Sequence, residues 1–249
     1  MSEQIEGRNP VLEALRAGHH LNKIYILKTE TSGPVRTIIN TAHQQGIPVN
    51  PVDSQVLDRM AVTRNHQGVI AIAAEWKYAT VDQILKNSTA KAEPGFLLFL
   101  DGVEDPQNLG SIIRTAEAAG VHGIIIPERR AAGLTAAVSR ASAGAVEYLP
   151  VARVTNLTKT IRELKKAGLW FTGVEMNGKI ELDQADLSGP IGLVLGGEGK
   201  GISRLVAEEC DQIVRLPMWG KVNSLNVSVA SGIALYEVRR RRGSINSLN

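Results

Sequence analysis

Short apolar segments alternate with amphipathic segments along most of the chain, and from residue 96 onward this alternation is regular. Strands are predicted over 96–100, 123–126, 169–174, 191–195 and 212–216, and helices over 109–119, 157–167, 202–208 and 224–240. Near-continuous apolar strands are typical of a parallel sheet, because helical crossovers bury both of its faces. This part of the chain is therefore predicted to be an α/β domain with a mostly parallel sheet.

The first 75 residues show a separate and shorter alternation. Asn9 and Pro10 indicate the start of a helix that Gly18 can end. Further elements are predicted as a strand over 24–27, a helix over 34–45 and a strand over 69–74. The pattern then weakens apart from an amphipathic piece over 81–85, and residues 86–95 are polar and rich in helix breakers. The predicted organisation is a small α/β domain over 1–75, a linker over 76–95 and a large domain over 96–249.

The composition is ordinary for a globular protein, with 43% hydrophobic and 21% charged residues. The formal net charge of +3 permits a polyanionic partner without identifying one. Cys210 is the only cysteine, which excludes an internal disulfide and a cysteine-cluster metal site. The five histidines lack metal-ligand spacing, so no metal is expected. The polar first ten residues lack the apolar core of a secretion signal, so a cytoplasmic protein is expected.

The stretch at 101–116 follows a predicted strand and carries the first candidate chemistry. We expect Asn108 to cap the next helix, whose apolar positions should face the core. Arg114 lies about 200° around that helix from Ile112, so it faces away from the apolar stripe. Spacing alone favours a solvated arginine paired with Glu117, and a guanidinium aimed at a ligand is the alternative.

The glycine-rich stretch at 193–203 follows another predicted strand and places Glu198 in the middle of a bare loop. Glycines let a backbone adopt positive φ and approach a ligand closely. The spacing fails the P-loop pattern, because Val194 stands at a required glycine and Lys200 is followed by Gly201. It also fails the dinucleotide fingerprint. A tight turn would need fewer glycines, so the loop and its glutamate favour a functional site.

The stretch at 216–229 runs from a strand end through a Met-Trp-Gly turn into a helix. Ser224 is predicted to be the N-cap of that helix, which is a structural role. Asn226 would then lie in the first turn, where asparagine is a poor helix former, so a functional role gains weight. A hydroxyl and an amide at this place could bind a ribose or an amino-acid tail through hydrogen bonds.

Three segments together resemble the ordered motifs of one family. They are N-L-G-S-I-I-R-T-A at 108–116, L-V-L-G-G-E-G-K-G-I at 193–202 and L-P-M-x-G-x-V-N-S-L-N-V-S-V-A at 216–230. They are similar to the motifs of the SpoU, or TrmH-type, RNA 2′-O-ribose methyltransferases of the SPOUT superfamily, over 96–240. Residues 5–74 resemble the N-terminal RNA-binding domain, of ribosomal-protein L30-like fold, that precedes the catalytic domain in the subfamily acting on a 23S rRNA guanosine.

The resemblance implies a catalytic α/β domain with a deep trefoil knot and a homodimer whose active site lies near the subunit interface. It implies S-adenosylmethionine as the methyl donor, bound by Leu195, Gly196, Gly197, Leu216, Met218 and Leu225. The family's polar site residues correspond to Asn108, Arg114, Glu198, Ser224 and Asn226. The N-terminal domain points to 23S rRNA, because relatives that methylate the tRNA D-loop guanosine usually lack it.

No histidine in the motifs could take the proton of a ribose 2′-hydroxyl during methyl transfer. The base proposed for the family corresponds to Arg114, but a guanidinium is normally locked in its charged form. Our hypothesis is that Arg114 binds the neighbouring phosphate and stabilises the developing alkoxide, while Ser224 and Asn226 orient the hydroxyl. Glu198 is interpreted as an orienting group that accepts backbone N–H bonds or pairs with an arginine.

Other functions stay open at this stage. One is a tRNA guanosine 2′-O-methyltransferase, and another is a resistance-type rRNA methylase acting on an adenosine. A third is a non-catalytic ribosome-binding protein of the same fold, which the intact Asn108, Arg114, Glu198 and Asn226 disfavour. A nucleotide-dependent enzyme is disfavoured by the failed P-loop spacing.

Overall fold

The computed structural model describes residues 3–16, 18–30, 32–62, 66–73, 76–90 and 93–243. The chain divides between Lys77 and Tyr78 into two compact units. Each unit is built around its own sheet. None of the helices within these described ranges is long and apolar enough to cross a membrane.

The first unit is a four-stranded sheet with three helices. Its elements are β1 (Glu3–Glu6), α1 (Arg8–Arg16), β2 (Leu21–Leu27), α2 (Gly33–Gln44), β3 (Val49–Val52), α3 (Ser54–Met60) and β4 (Val69–Ala73). The strand order is β1-β4-β2-β3, with β2 and β3 parallel and the other neighbours antiparallel. The sequence pattern missed α3 and the edge strands β1 and β3. Edge strands are half exposed, so β1 is polar, β3 carries Pro51, and neither forms an apolar run.

The second unit is a seven-stranded sheet with helices between its strands. Its elements are α4 (Val81–Ala90), β5 (Phe96–Asp101), α5 (Pro106–Ala118), β6 (Gly123–Pro127), α6 (Ala136–Ala141), β7 (Val151–Val154), α7 (Leu157–Lys166), β8 (Trp170–Val174), β9 (Ile180–Glu181), β10 (Ile191–Gly196), α8 (Arg204–Ala207), β11 (Gln212–Arg215) and α9 (Val227–Arg241). The order is β7-β6-β5-β10-β8-β11-β9, and every neighbouring pair is parallel. The predicted parallel sheet is confirmed, and the two missed strands, β7 and β9, are its edges.

Strands β5 and β10 lie at the centre of this sheet and are buried along almost their whole length. Phe99 of β5 packs edge-on against Phe171 of β8, with 5.1 Å between the ring centroids. Ile84 of α4 is fully buried in the same core, although the sequence pattern predicts a linker over 76–95. Asp82, Gln83, Lys86 and Asn87 of α4 are polar and exposed, so its short apolar face resembles part of a loop in the sequence.

Helix α5 begins at Pro106, earlier than predicted, and Asp105 is its N-cap. The Asp105 carboxylate accepts hydrogen bonds from the backbone N–H groups of Gln107 and Asn108, at 3.3 and 3.1 Å. Aspartate followed by proline at the first helical position is a favoured start, since proline needs no hydrogen bond there. The prediction that Asn108 caps this helix is therefore wrong. Asn108 lies in the first turn, and its side chain is available for other contacts.

Helix α9 begins at Val227, later than predicted, and Asn226 is its N-cap. The Asn226 Oδ1 accepts hydrogen bonds from the Ser228 backbone N–H at 2.9 Å and from the Ser228 hydroxyl at 2.6 Å. Asparagine caps a helix at least as well as serine does. The prediction of Ser224 as the cap is wrong, and Ser224 lies in the exposed segment before the helix.

The arginine run at 239–242 holds the end of α9 against the rest of this unit. The Arg239 guanidinium donates hydrogen bonds to the backbone carbonyls of Ala119 and Gly120. The Arg242 guanidinium donates to those of Pro94, Gly95 and Gly189. Arg242 also lies over the Phe96 ring, 5.0 Å from its centroid, and burial lowers the pKa of its guanidinium to about 10. The other two arginines pair with Glu237. The run therefore has a structural role at the end of α9.

Two helical glycines should respond in opposite ways to alanine. A Cβ at Gly110 of α5 would lie 2.3 Å from the Ala141 Cβ and 2.8 Å from the Val138 carbonyl oxygen, whereas one at Gly232 of α9 would lie 3.5 Å from the Thr115 Cγ2. We expect Gly110→Ala to lower the free energy of unfolding by roughly 1–3 kcal/mol through overpacking. Gly232→Ala should raise it by about 0.5–1 kcal/mol through helix propensity. Denaturant unfolding measures both, and equal effects would contradict the close packing of α5 on α6.

Candidate active site

The carboxyl ends of β5 and β10 approach each other unusually closely. Their ladder ends at the pair Asp101 and Gly196, and the Gly197 N–H donates to the Asp101 carbonyl at 2.8 Å. A Cβ at Gly197 would lie 1.8 Å from the Gly102 carbonyl oxygen. The position accepts no side chain, so glycine is required here by the approach of the two backbones.

The glycine loop then folds back on itself. The Gly201 N–H donates to the Gly197 carbonyl at 3.2 Å, and a Cβ at Gly196 would lie 1.9 Å from the Gly201 carbonyl carbon. Two carboxylates hold the far end of the loop. They accept backbone N–H bonds, Glu175 from Ile202 at 2.5 Å and Asp101 from Ser203 at 2.8 Å. The loop is therefore a preformed wall whose shape is set by protein contacts.

Glu198, at the tip of this loop, joins the three motifs. Its Oε1 accepts hydrogen bonds from Asn108 Nδ2 at 3.1 Å and from Asn226 Nδ2 at 2.8 Å. Asn226 Nδ2 also donates to Asn108 Oδ1 at 3.0 Å. Glu198 thus has side-chain amides as partners, which corrects the expectation of backbone N–H groups or an arginine. We call these three residues the amide–carboxylate network.

A cavity of about 610 Å³ opens beside the network, and we call it the donor cavity. All of the residues assigned to the methyl donor line it: Leu195, Gly196, Gly197, Leu216, Met218 and Leu225. Glu198, Ser224 and Asn226 line it as well. Its walls combine apolar side chains with strand-end backbone and a few polar groups, which is the usual composition of a small-molecule site.

Sequence reasoning missed several polar residues of the donor cavity. Glu175 and Asn177 follow the end of β8, and Asn223 precedes the third motif's serine. Strand β8 pairs with β10 in parallel, so its carboxyl end lies at the same edge of the sheet as the glycine loop. The rule that ligands bind at the carboxyl ends of parallel strands could have identified 175 and 177.

A second cavity, of about 440 Å³, lies next to the donor cavity, and we call it the side cavity. Asn108, Gly197 and Glu198 line it, and the last two are shared with the donor cavity. Arg130 and Glu104, which no sequence argument singled out, line it too.

Arg114 is not brought together with the other predicted site residues. It lies exposed on α5, on the side opposite the buried Ile112 and Ile113, as predicted. It lines neither cavity. Within the described part of the chain its side chain makes no hydrogen bond or ion pair, so the predicted pairing with Glu117 is absent.

Comparison with known proteins gives matches over both units. A family model described as the SpoU rRNA Methylase family matches residues 95–236. A model described as RNA 2′-O ribose methyltransferase substrate binding matches residues 4–79. A Bacillus subtilis protein, YacO, whose name assigns it to the TrmH family of tRNA/rRNA methyltransferases, is 46% identical over 98% of this chain and 99% of its own length.

Solved structures give the same result. The SpoU methyltransferase AviRb from Streptomyces viridochromogenes, in complex with the cofactor AdoMet, is 25% identical, with a TM-score of 0.70 over 97% of this chain and 90% of that one. An AdoMet-bound rRNA methyltransferase from Sinorhizobium meliloti is 30% identical, with a TM-score of 0.65 over 98% and 88%. A TrmH/SpoU tRNA modifying enzyme from A. aeolicus is 29% identical, with a TM-score of 0.55, and covers 60% of this chain and 76% of its own. This chain belongs to the SpoU rRNA methylase family, and it is a methyltransferase.

Proposed function

We propose that this protein transfers the methyl group of S-adenosylmethionine to the 2′-hydroxyl of a guanosine ribose in 23S rRNA. The observation that carries the proposal is the donor cavity. It gathers the residues expected to bind the methyl donor, and Glu198 and Asn226 of the amide–carboxylate network lie in its wall. The donor and the polar groups that would orient an acceptor are therefore neighbours.

The donor cavity suits S-adenosylmethionine in size and chemistry. A volume of about 610 Å³ is within the usual range for cofactor sites. Leu195, Leu216, Met218 and Leu225 offer apolar surface to the adenine ring, and the carboxylate of Glu175 offers acceptors for hydroxyl or ammonium groups. When bound, S-adenosylmethionine supplies the methyl group as an electrophile on a sulfonium. The protein's part is to hold the acceptor oxygen in line with it.

The RNA class is supported by the first unit. The substrate-binding family model covers that unit, and the S. meliloti rRNA methyltransferase covers 98% of the chain. The A. aeolicus tRNA modifying enzyme covers only 60%. A protein with an added substrate-binding unit favours a large structured RNA, and we assign 23S rRNA. The name of the B. subtilis relative includes both tRNA and rRNA, so tRNA is the alternative that the experiment below must test.

A homodimer is part of the proposal. Val229, Ile233 and Tyr236 form an apolar stripe on α9, and each is about half exposed. Large apolar side chains grouped on one exposed helix face are typical of an interface. Arg114 lies outside both cavities of its own chain. A second copy docked near α9 would bring its own Arg114 within reach of this chain's active site. The knot remains a prediction from the family resemblance, and the cytoplasmic location remains a prediction from the polar first ten residues.

Purified protein should transfer label from tritiated S-adenosylmethionine to 23S rRNA transcribed in vitro. The modified position should resist alkaline cleavage, because the reaction that cuts RNA needs a free 2′-hydroxyl. Asn226→Ala is the control, since it removes a donor to Glu198 and the cap of α9. Label in tRNA alone would overturn the rRNA assignment. Label in no RNA, together with tight ribosome binding, would indicate a non-catalytic protein.

Two substitutions at Glu198 distinguish an orienting role from a proton acceptor. Glu198→Gln keeps an oxygen that can accept from Asn108 and Asn226, so we expect kcat within about threefold of wild type. Glu198→Ala leaves the amides of Asn108 and Asn226 without this acceptor, so they are no longer held in position. We expect kcat to fall by about tenfold to a hundredfold. Single-turnover methylation measures both variants. A glutamine variant as slow as the alanine variant would make Glu198 a base.

Mixed dimers test whether Arg114 serves the other copy. A dimer of one Arg114→Ala chain and one Asn226→Ala chain would then have one complete site, and we expect about half of the wild-type activity. The matched control is a dimer of Asn108→Ala and Asn226→Ala, which has no complete network and should stay inactive. Differently tagged chains allow each mixed dimer to be purified. No recovery in the first mixture would mean that Arg114 acts within its own chain, and full activity in a dimer of two Arg114→Ala chains would mean that Arg114 has no role.

A further inference from the structure

We propose that Arg130 binds a backbone phosphate of the acceptor RNA, with the side cavity taking the nucleotide attached to that phosphate. This inference rests on the proposed function and adds a substrate-binding residue that lies outside the three motifs. Arg130 follows β6, whereas the motif residues follow β5, β10 and β11. It lines the side cavity together with Asn108 and Glu198.

The position of the side cavity suits an acceptor. Gly197 and Glu198 form a wall common to both cavities, so a nucleotide in one is adjacent to a donor in the other. Asn108 is buried and lines only the side cavity, and its amide is already oriented by Glu198 and Asn226. A ribose in the side cavity would lie against the Asn108 amide and the Glu198 carboxylate.

The loop that carries Arg130 is built to hold it in one place. Arg130 has φ = 57°, a left-handed conformation that is uncommon for a residue with a side chain. The loop is fastened just after it. The Ala132 N–H donates to the Val103 carbonyl at 2.8 Å, and the Leu134 N–H donates to the Tyr78 hydroxyl oxygen at 2.9 Å. Such conformations persist where surrounding contacts impose them, and they cluster at ligand sites.

The carboxylates that line the side cavity do not pair with Arg130, so its guanidinium is available to bind a phosphate. Three of its four carboxylates accept hydrogen bonds from protein donors, and they belong to Asp101, Asp105 and Glu198. Glu104 is the fourth, exposed carboxylate, and Lys200 is the other cation. Within the described residues, Arg130 makes no ion pair or side-chain hydrogen bond. Because it is exposed while Asp101 and Asn108 are buried, the phosphate belongs at the solvent-facing side and the uncharged ribose and base further in.

A guanidinium binds two oxygens of one phosphate in a planar, bidentate arrangement. Such a contact sets the register of the RNA on the protein and reads no base. Loss of the contact should therefore weaken RNA binding and its salt dependence while leaving the binding of the methyl donor unchanged. Lysine keeps the positive charge but cannot bind two phosphate oxygens in a planar arrangement. Arg130→Lys should therefore restore RNA binding only in part.

The experiment compares Arg130→Ala, Arg130→Lys and Arg130→Gly with Arg129→Ala, the matched control. Arg129 is the neighbouring exposed arginine, and it does not line the cavity. Filter binding of 23S rRNA at several salt concentrations gives Kd and its salt slope, and calorimetry gives the Kd for S-adenosylmethionine. For Arg130→Ala we expect the RNA Kd and KM to rise about tenfold, and the salt slope to fall by about one. The control should stay within about twofold of wild type.

Arg130→Gly separates the side chain from the strained backbone, because glycine accepts positive φ without cost. It should weaken RNA binding as much as alanine does, and wild-type binding by the glycine variant would overturn the proposal. Equal losses in the Arg129 and Arg130 variants would also overturn it, since they would indicate a general charge effect. Thermal unfolding checks that each variant folds. RNA binding is measured without turnover. If methylation is not detected, the binding measurements therefore still decide whether Arg130 contacts the RNA.

Discussion

The parallel pairing of β5 with β10 is the constraint on which the rest of the second unit depends. Hydrogen bonding brings the two strand ends into register at Asp101 and Gly196. The backbones then continue so close together that Gly197 has no room for a side chain against Gly102. Because the pairing is central and buried, the glycine loop and the start of the first motif are held against each other by the same ladder that forms the core.

From this constraint the polar chemistry of the site follows. The β5 end leads into α5, which supplies Asn108, and the β10 end supplies Glu198. Helix α9 packs on α5 and brings Asn226 to the same point. Side chains separated by 28 to 118 positions thus satisfy one another's hydrogen bonds. A satisfied network of this kind has one low-energy arrangement, which suits a site that must position a weak nucleophile.

The errors of the sequence predictions have two physical origins. At both helix starts two or more good cap residues compete. They are Asp105 and Asn108 near the start of α5, and Ser224 and Asn226 before α9. Asp105 caps α5 because Pro106 follows it, and this frees Asn108 for Glu198. Helix α4 and the edge strands were missed because each buries only one narrow face, so their apolar residues are too few to form a clear period.

The sequence by itself determined the α/β class, the central strands and the order of the three motifs, because each of these is written in residues that are near one another along the chain. It also placed Arg114 correctly on the exposed side of its helix. Only the tertiary structure decided which polar groups meet. It joined Asn108, Glu198 and Asn226, left Arg114 outside both cavities, and brought Arg130 from the end of β6 to the side cavity that Asn108 and Glu198 line. These outcomes depend on the order in which strands pair, and strand order is a long-range property that local spacing does not contain.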